Sequence, residues 1–323
     1  MDCSDAADFA HYIPQRIIIF FQLLLCIFSI VVNLLFVKHC RSDLFFHCNC
    51  RLLIWMIVIT NIVHSFCLAI LQGTHLIKIF TATEPCQILV PATFCYVLRL
   101  PAVICFDAHM TIHLSIVVER GIALRHLSTY ESSTSATGVA LATFSLASAV
   151  GIALYTMHKY DFNATTFYCS GATKATMFEV SVSSYAIVAF EAIIIVVFGF
   201  VYHLNVKRSN VFDIRAKYQA KENLVVLRLL IPVVLFHFVV FFCFMVANGI
   251  ASSIRHLFAT DYAFRAYVAA VYLVPIYTLG SPLLMWWILR RHRESRSKDL
   301  LRISAKIKDE NDIYFSNYAW NTK

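Results

Sequence analysis

Seven apolar runs, at residues 17–37, 52–71, 95–118, 136–157, 182–204, 224–250 and 266–289, constrain this chain more than any other feature of its sequence. Each is close to the roughly 20 residues a helix needs to cross a bilayer, where only helices and closed barrels can satisfy their own backbone. The sequence therefore predicts an all-α integral membrane protein, a bundle of seven transmembrane helices. The second run can extend to Phe80, with His75 and Lys78 near the interface. Composition agrees, since 59% of the 323 residues are hydrophobic against roughly 45–50% in a soluble domain.

Loop charges set the expected direction. Cytoplasmic connections retain Lys and Arg, and the two sets of segments between the runs hold six and nineteen of these residues, with Arg99 and Arg228 inside runs. The poorer set includes residues 1–16, so the N-terminus is predicted to be extracellular and residues 290–323 to form a basic cytoplasmic tail. Asn163-Ala164-Thr165, the one glycosylation sequon, falls on the side already assigned to the exterior. The net charge of +8 is divided into short blocks between apolar runs. That pattern reads as topology and argues against nucleic acid as a partner. Acidic residues 2, 5 and 8, with no basic segment before the first run, argue that this run is its own insertion signal. In the tail, Leu300, Leu301, Ile303 and Ile307 share one face of a short helix, which places it either at the membrane surface with Arg290, Arg291, Arg293 and Arg296 toward headgroups or in solvent as a basic stop-transfer tail.

The third run carries the most chemistry. At about 100° per residue, His109, His113 and Arg120 fall on one stripe, which should face the bundle because lipid cannot satisfy polar groups. The plain reading of the two histidines is neutral packing between helices. Arg99, near the outer end, is the better ligand contact, and Asp107 needs a partner elsewhere. Arg120 stands beside Glu119 at the cytoplasmic end, where it can pair with a carboxylate in a closed bundle and offer its donors to a partner when the sixth helix moves out.

That arrangement resembles the heptahelical G-protein-coupled receptors, although Gly121 stands where they carry an aromatic residue. In rhodopsin-like members a cysteine precedes the arginine by the spacing seen between Cys95 and Arg120, and bonds a cysteine of the second external loop. The resemblance implies Cys95–Cys169, with Cys86 a competitor for the same role and a Cys86–Cys95 bridge also open. The seventh run has Gly280-Ser281-Pro282 in place of Asn-Pro-x-x-Tyr, and the proline of the sixth, Pro232, lies near its cytoplasmic end.

A narrower resemblance covers all seven runs. Phe46-His47-x-Asn49, Cys86 and Cys95, Glu119-Arg120 and Tyr218-Gln219-x-x-Glu222-Asn223 look like the nematode serpentine chemoreceptors of the Sra superfamily, the alpha/beta class Srab first and the alpha class Sra second. The resemblance implies a chemosensory receptor in the cell membrane of sensory neurons or their cilia, coupled to a heterotrimeric G protein. It carries structural or coupling roles onto His47, Asn49, Arg120, Tyr218, Gln219, Glu222 and Asn223. Glu222, on the same side as Arg120, is a candidate partner for it; Lys217, Lys221 and Arg228 compete for Glu222.

The ligand pocket is expected between the outer halves of the helices, with Arg99, Tyr185, Asn248, Tyr267 and Tyr272 as polar handles for a small molecule. No predicted span holds a lysine for a Schiff base, so no retinal-type cofactor is expected. His39, Cys40, His47, Cys48 and Cys50 match zinc ligands by type but not by spacing, so no metal is assigned. Glu191, Asn61 and His64 read as interhelical contacts. A transporter or ligand-gated channel is the alternative, but neither an internal repeat nor broken helices are evident. Hydrolytic signatures are absent, so an enzyme is not expected.

Overall fold

The computed structural model describes residues 3–40, 46–127, 129–130, 134–163, 165–173, 175–208 and 214–320, and not the side chains of 4, 5, 214–216, 218, 306, 308, 309 or 312–320. The apolar runs become helices longer than hydropathy alone indicates: α2 (Ile13–Cys40), α3 (Cys48–Thr81), α4 (Ala92–Arg125), α5 (Ala136–Met157), α6 (Met177–Arg208) and α7 (Ile214–Gly249). A short α1 (Cys3–His11) precedes them, and a four-residue α8 (Ala251–Ile254), α9 (Asp261–Ala270) and α10 (Val274–Trp320) follow. Seven helical segments are long and apolar enough to cross a membrane, the last made of α9 and the start of α10.

The extensions have local causes. His47 accepts a hydrogen bond from the Asn49 amide and caps α3, which satisfies one of the open donors of a helix start. At its other end α3 runs to Thr81, where Lys78 Nζ donates to the carbonyls of Gln87 and Leu89. Helix α10 passes Arg290 without a break. The short helix expected in the tail is therefore a direct continuation of the last span, and Leu300, Leu301, Ile303 and Ile307 stand exposed along it.

Helix α4 is central: 72% of its apolar window is buried, against 28% for α2 and for α5. Around it the bundle is tied by small polar side chains, the usual means of helix association where lipid is as apolar as the core. Asn33 Nδ2 donates to the Thr278 carbonyl at 3.0 Å, and Asn61 Nδ2 donates to Asn33 Oδ1 and Ser281 Oγ at 3.2 and 3.1 Å, which joins α2, α3 and α10. Thr111 and Ser115 of α4 reach Ser145 of α5.

One end of the bundle is covered. Cys3 bonds Cys86 and Cys95 bonds Cys169, and strands β1 (Val90–Pro91) and β2 (Thr165–Thr166) pair antiparallel beside the second bridge. Helix α1 lies over this end, its Phe9 against Phe167 with ring centroids 4.7 Å apart. Cys86 is thus taken by Cys3 and competes neither for Cys95 nor for Cys169. This is the disulfide end; the opposite one, where Arg120 lies, is the arginine end.

Candidate functional site

Two polar sites lie at opposite ends of α4. At the disulfide end a small, partly open cavity of about 70 Å³ is bounded by α4, α5, α6, α7, α9 and the segment after Cys169. Its wall is apolar, from Val103, Phe106, Ile187, Phe244 and Val268, with a few polar groups turned inward. Arg99 is one of them, 8% exposed and stacked over the Tyr272 ring at 4.6 Å. The Tyr272 hydroxyl meets His64 Nε2 at 2.6 Å, which fixes the ring beneath the guanidinium. Asp107 lines the deeper part, and Asn248 donates to Ser184 Oγ at 3.0 Å.

At the arginine end every nitrogen of the Arg120 guanidinium is engaged. Nε and Nη2 donate to the two carboxylate oxygens of Glu119 at 2.6 and 2.7 Å, Nη1 to Asn223 Oδ1 at 3.0 Å, and Nη2 also to Tyr130 Oη at 3.2 Å. Tyr130 donates in turn to Glu119, and its ring packs on His47 at 4.3 Å. Asn223 donates to Asn205 Oδ1 of α6 at 2.7 Å. One buried network thus joins α4 to α6 and α7, and through Tyr130 to His47 at the head of α3. Nearby, Asn49 Oδ1 accepts from the Gly138 amide at 3.0 Å. A Cβ on Gly138 would stand 2.8 Å from the Asn49 Cα, so this crossing of α3 and α5 requires glycine.

A family model, serpentine type 7TM GPCR receptor class ab chemoreceptor, matches residues 1–322. The chain belongs to that family. No curated protein matches it. The class ab assignment agrees with the resemblance read from Phe46-His47-x-Asn49, Glu119-Arg120 and the Tyr218 segment, and it makes the protein a multi-pass membrane chemoreceptor.

In this serpentine receptor the residues expected to line a ligand pocket divide. Arg99, Asn248 and Tyr272 do line the cavity. Tyr185 is not among the residues lining it: it is 51% exposed, with its ring beside Gly249 of α7. Nor is Tyr267, since its hydroxyl donates to the Ala247 carbonyl at 2.8 Å and its ring packs with Phe258 and Phe264. Asn163 is exposed, and its amide is held by Asp161 Oδ1 at 3.0 Å.

Of the inner residues, Gln219, Glu222 and Asn223 border one cavity with His47, Arg120 and Tyr130. Arg120 hydrogen-bonds Glu119, Asn223 and Tyr130, and Glu222, in the same cavity, is close enough for its carboxylate to act electrostatically on the guanidinium. Tyr218 belongs to α7, and its side chain lies outside the described residues. Tyr130 and Asn205 were missed in the sequence. A tyrosine in a loop and an asparagine near a helix end carry no periodic signal.

Between the two ends the receptor holds a layer of buried titratable groups. The His113 and His237 rings stack with centroids 4.0 Å apart, and His237 Nδ1 lies 3.4 Å from Glu191 Oε2. His113 Nδ1 donates to the His109 carbonyl at 2.7 Å, and His109 Nδ1 meets Thr60 Oγ1 at 3.3 Å. The stripe of His109, His113 and Arg120 is indeed buried. Among the described residues no group of three or more His, Cys, Asp or Glu is disposed to hold a metal ion.

Proposed function

We propose that this chemoreceptor detects a small molecule in the cavity at the disulfide end and activates a heterotrimeric G protein at the arginine end. The disulfide end faces the exterior in this reading and the arginine end the cytoplasm. Three features support that direction: the excess of Lys and Arg in segments at the arginine end, the sequon at the other end, and the two bridges, which persist in an oxidising compartment. The family resemblance supports a place in sensory neurons or their cilia.

The observation that carries the reading is that α7 belongs to both sites. Phe244, Met245 and Asn248 line the cavity, and Asn223 holds Nη1 of Arg120 at 3.0 Å. A ligand that binds more tightly when α7 shifts would lengthen that bond, freeing donors of Arg120 for a partner. The equilibrium moves only by the difference in affinity between the two states.

A chemical panel applied to cells expressing the receptor, read by G-protein dissociation, tests this. At least one compound is expected to give a saturable response that disappears in Arg120→Ala at equal surface expression. A response that survives Arg120→Ala and is accompanied by an ion current would make the protein a ligand-gated channel instead.

A further inference from the structure

The cavity holds two polar groups that the protein itself leaves unsatisfied. Arg99 is more than nine-tenths buried, its Nε has no hydrogen-bond partner among the described residues, and its guanidinium stacks over the face of Tyr272. No carboxylate forms an ion pair with it among the described residues. Asp107, 2% exposed on the same helix, leaves Oδ2 without a partner. Both border the same cavity. An isolated buried ion is among the least favourable things a fold can contain, and it is ordinarily neutralised or paired. At Arg99 the protein does neither, because a guanidinium does not lose its proton.

The positions of the two groups set the shape of what would satisfy them. They are eight residues apart in α4, about 12 Å along the axis, with Arg99 nearer the mouth. The rest of the wall is apolar at Val103, Phe106, Ile187 and Phe244, and its other polar groups, Thr156, Ser170, Ser183, Ser184 and Asn248, are uncharged, so it offers nothing to a second charge. Ser170 also borders a neighbouring chamber lined by Arg265 and Asp161. Given the receptor reading above, on which this inference rests, we infer that the ligand is an elongated organic anion. Its carboxylate, or a group of like charge, meets the Arg99 fork bidentately. An apolar body lies along the wall, and a hydroxyl or amino group at the far end donates to Asp107.

The test uses matched probes: medium-chain alkanoates, their ω-hydroxy derivatives, and the primary amides and primary amines of the same chains. Binding is read as the thermal shift of the purified full-length receptor, and activation as G-protein dissociation in cells. Acids are expected to bind, ω-hydroxy acids more tightly than plain acids, and the amides and amines at least about tenfold more weakly, the discrimination expected of a charge-assisted pair. In Arg99→Gln the preference for acid over amide should vanish, while Arg99→Lys should keep it. In Asp107→Asn the advantage of the ω-hydroxyl should fall. These are ratios within one variant, so a loss of folded material cannot imitate them.

Amides or amines binding as well as acids, an acid preference that persists in Arg99→Gln, or no binding by any acid would each overturn the inference. Amides or amines that activate through Arg120 would overturn it while leaving the receptor reading standing. Acids that bind without releasing G protein would leave the anion site standing and overturn the receptor reading.

Discussion

Two arginines of one helix have opposite fates. Arg99 and Arg120 are 8% and 3% exposed, and both sit among helices where water is scarce. Arg120 is neutralised by Glu119 and has all its nitrogens bonded. Arg99 has an aromatic face and an orphaned Nε. The difference separates two uses of a buried charge. A charge that is fully paired holds a conformation and is released only by moving a helix. One left open is the feature on which the anion site inferred above rests.

The widest gap between the two should appear when a charge is removed. In Glu119→Gln, Arg120 keeps its burial but loses its counter-charge, a change that costs about 3–5 kcal/mol when a buried pair is broken. Melting of the purified protein should fall by several degrees, and basal G-protein release should rise because Arg120 is freed. Arg99→Gln removes a charge that has no partner, so its melting temperature should stay level or rise. A loss of stability in Arg99→Gln comparable to that of Glu119→Gln would erase the distinction.

The bridges sharpen the account of the disulfide end. They close segments of similar length, with sequence separations of 74 and 83 residues, so Cys95→Ser and Cys3→Ser should each cost about 2–5 kcal/mol. Cys169 is followed directly by Ser170, which lines the cavity, whereas Cys3 fastens α1. Reduced thermal stability is therefore expected in both variants. A fall in agonist potency beyond what surface expression explains is expected in Cys95→Ser alone. Equal potency losses would mean that α1 also shapes the site.

A smaller effect distinguishes neighbours in α7. Asn223→Ala leaves Nη1 of Arg120 and the Asn205 amide oxygen short of a partner, about 1–3 kcal/mol of unmet hydrogen bonding. Basal signalling should rise clearly. Glu222→Ala, at the half-exposed rim of the same cavity, should change it less. The reverse order would make Glu222, rather than Asn223, the residue that holds Arg120.

How much of this could be read from the sequence follows from what lipid does to an amphipathic pattern. Span number and approximate position were legible, because they depend on the length of apolar runs, and Arg120 was legible from its spacing to Cys95. Arg99 was legible because a charge inside a span is conspicuous on any face. Faces were not legible for aromatic residues. In water a helix sorts polar from apolar around its circumference, but in a bilayer both the core and the outside are apolar, so Tyr185 and Tyr272 look alike. The Cys3–Cys86 bond was hidden for another reason: four candidate cysteines allow several pairings, and only the seating of α1 over the bundle selects one. Tyr130 and Asn205 belong to a network whose members come from separate elements, and no spacing along the chain announces it.

The smallest effect tests that last distinction directly. Tyr185 lies 51% exposed on α6 and makes no hydrogen bond among the described residues, and its ring lies where a Cβ on Gly249 would come within 3.0 Å. Its hydroxyl has nothing to give the cavity. Tyr185→Phe should leave agonist potency within about twofold of wild type, a change under roughly 0.5 kcal/mol, because the ring is kept and the hydroxyl lost makes no hydrogen bond among the described residues. Tyr272→Phe removes the 2.6 Å contact with His64 that steadies the ring beneath Arg99, so its potency should fall further although the substitution is chemically the same. If the two variants respond alike, the ring under Arg99 needs no anchoring, and the guanidinium is positioned by the helix backbone and the cavity wall alone.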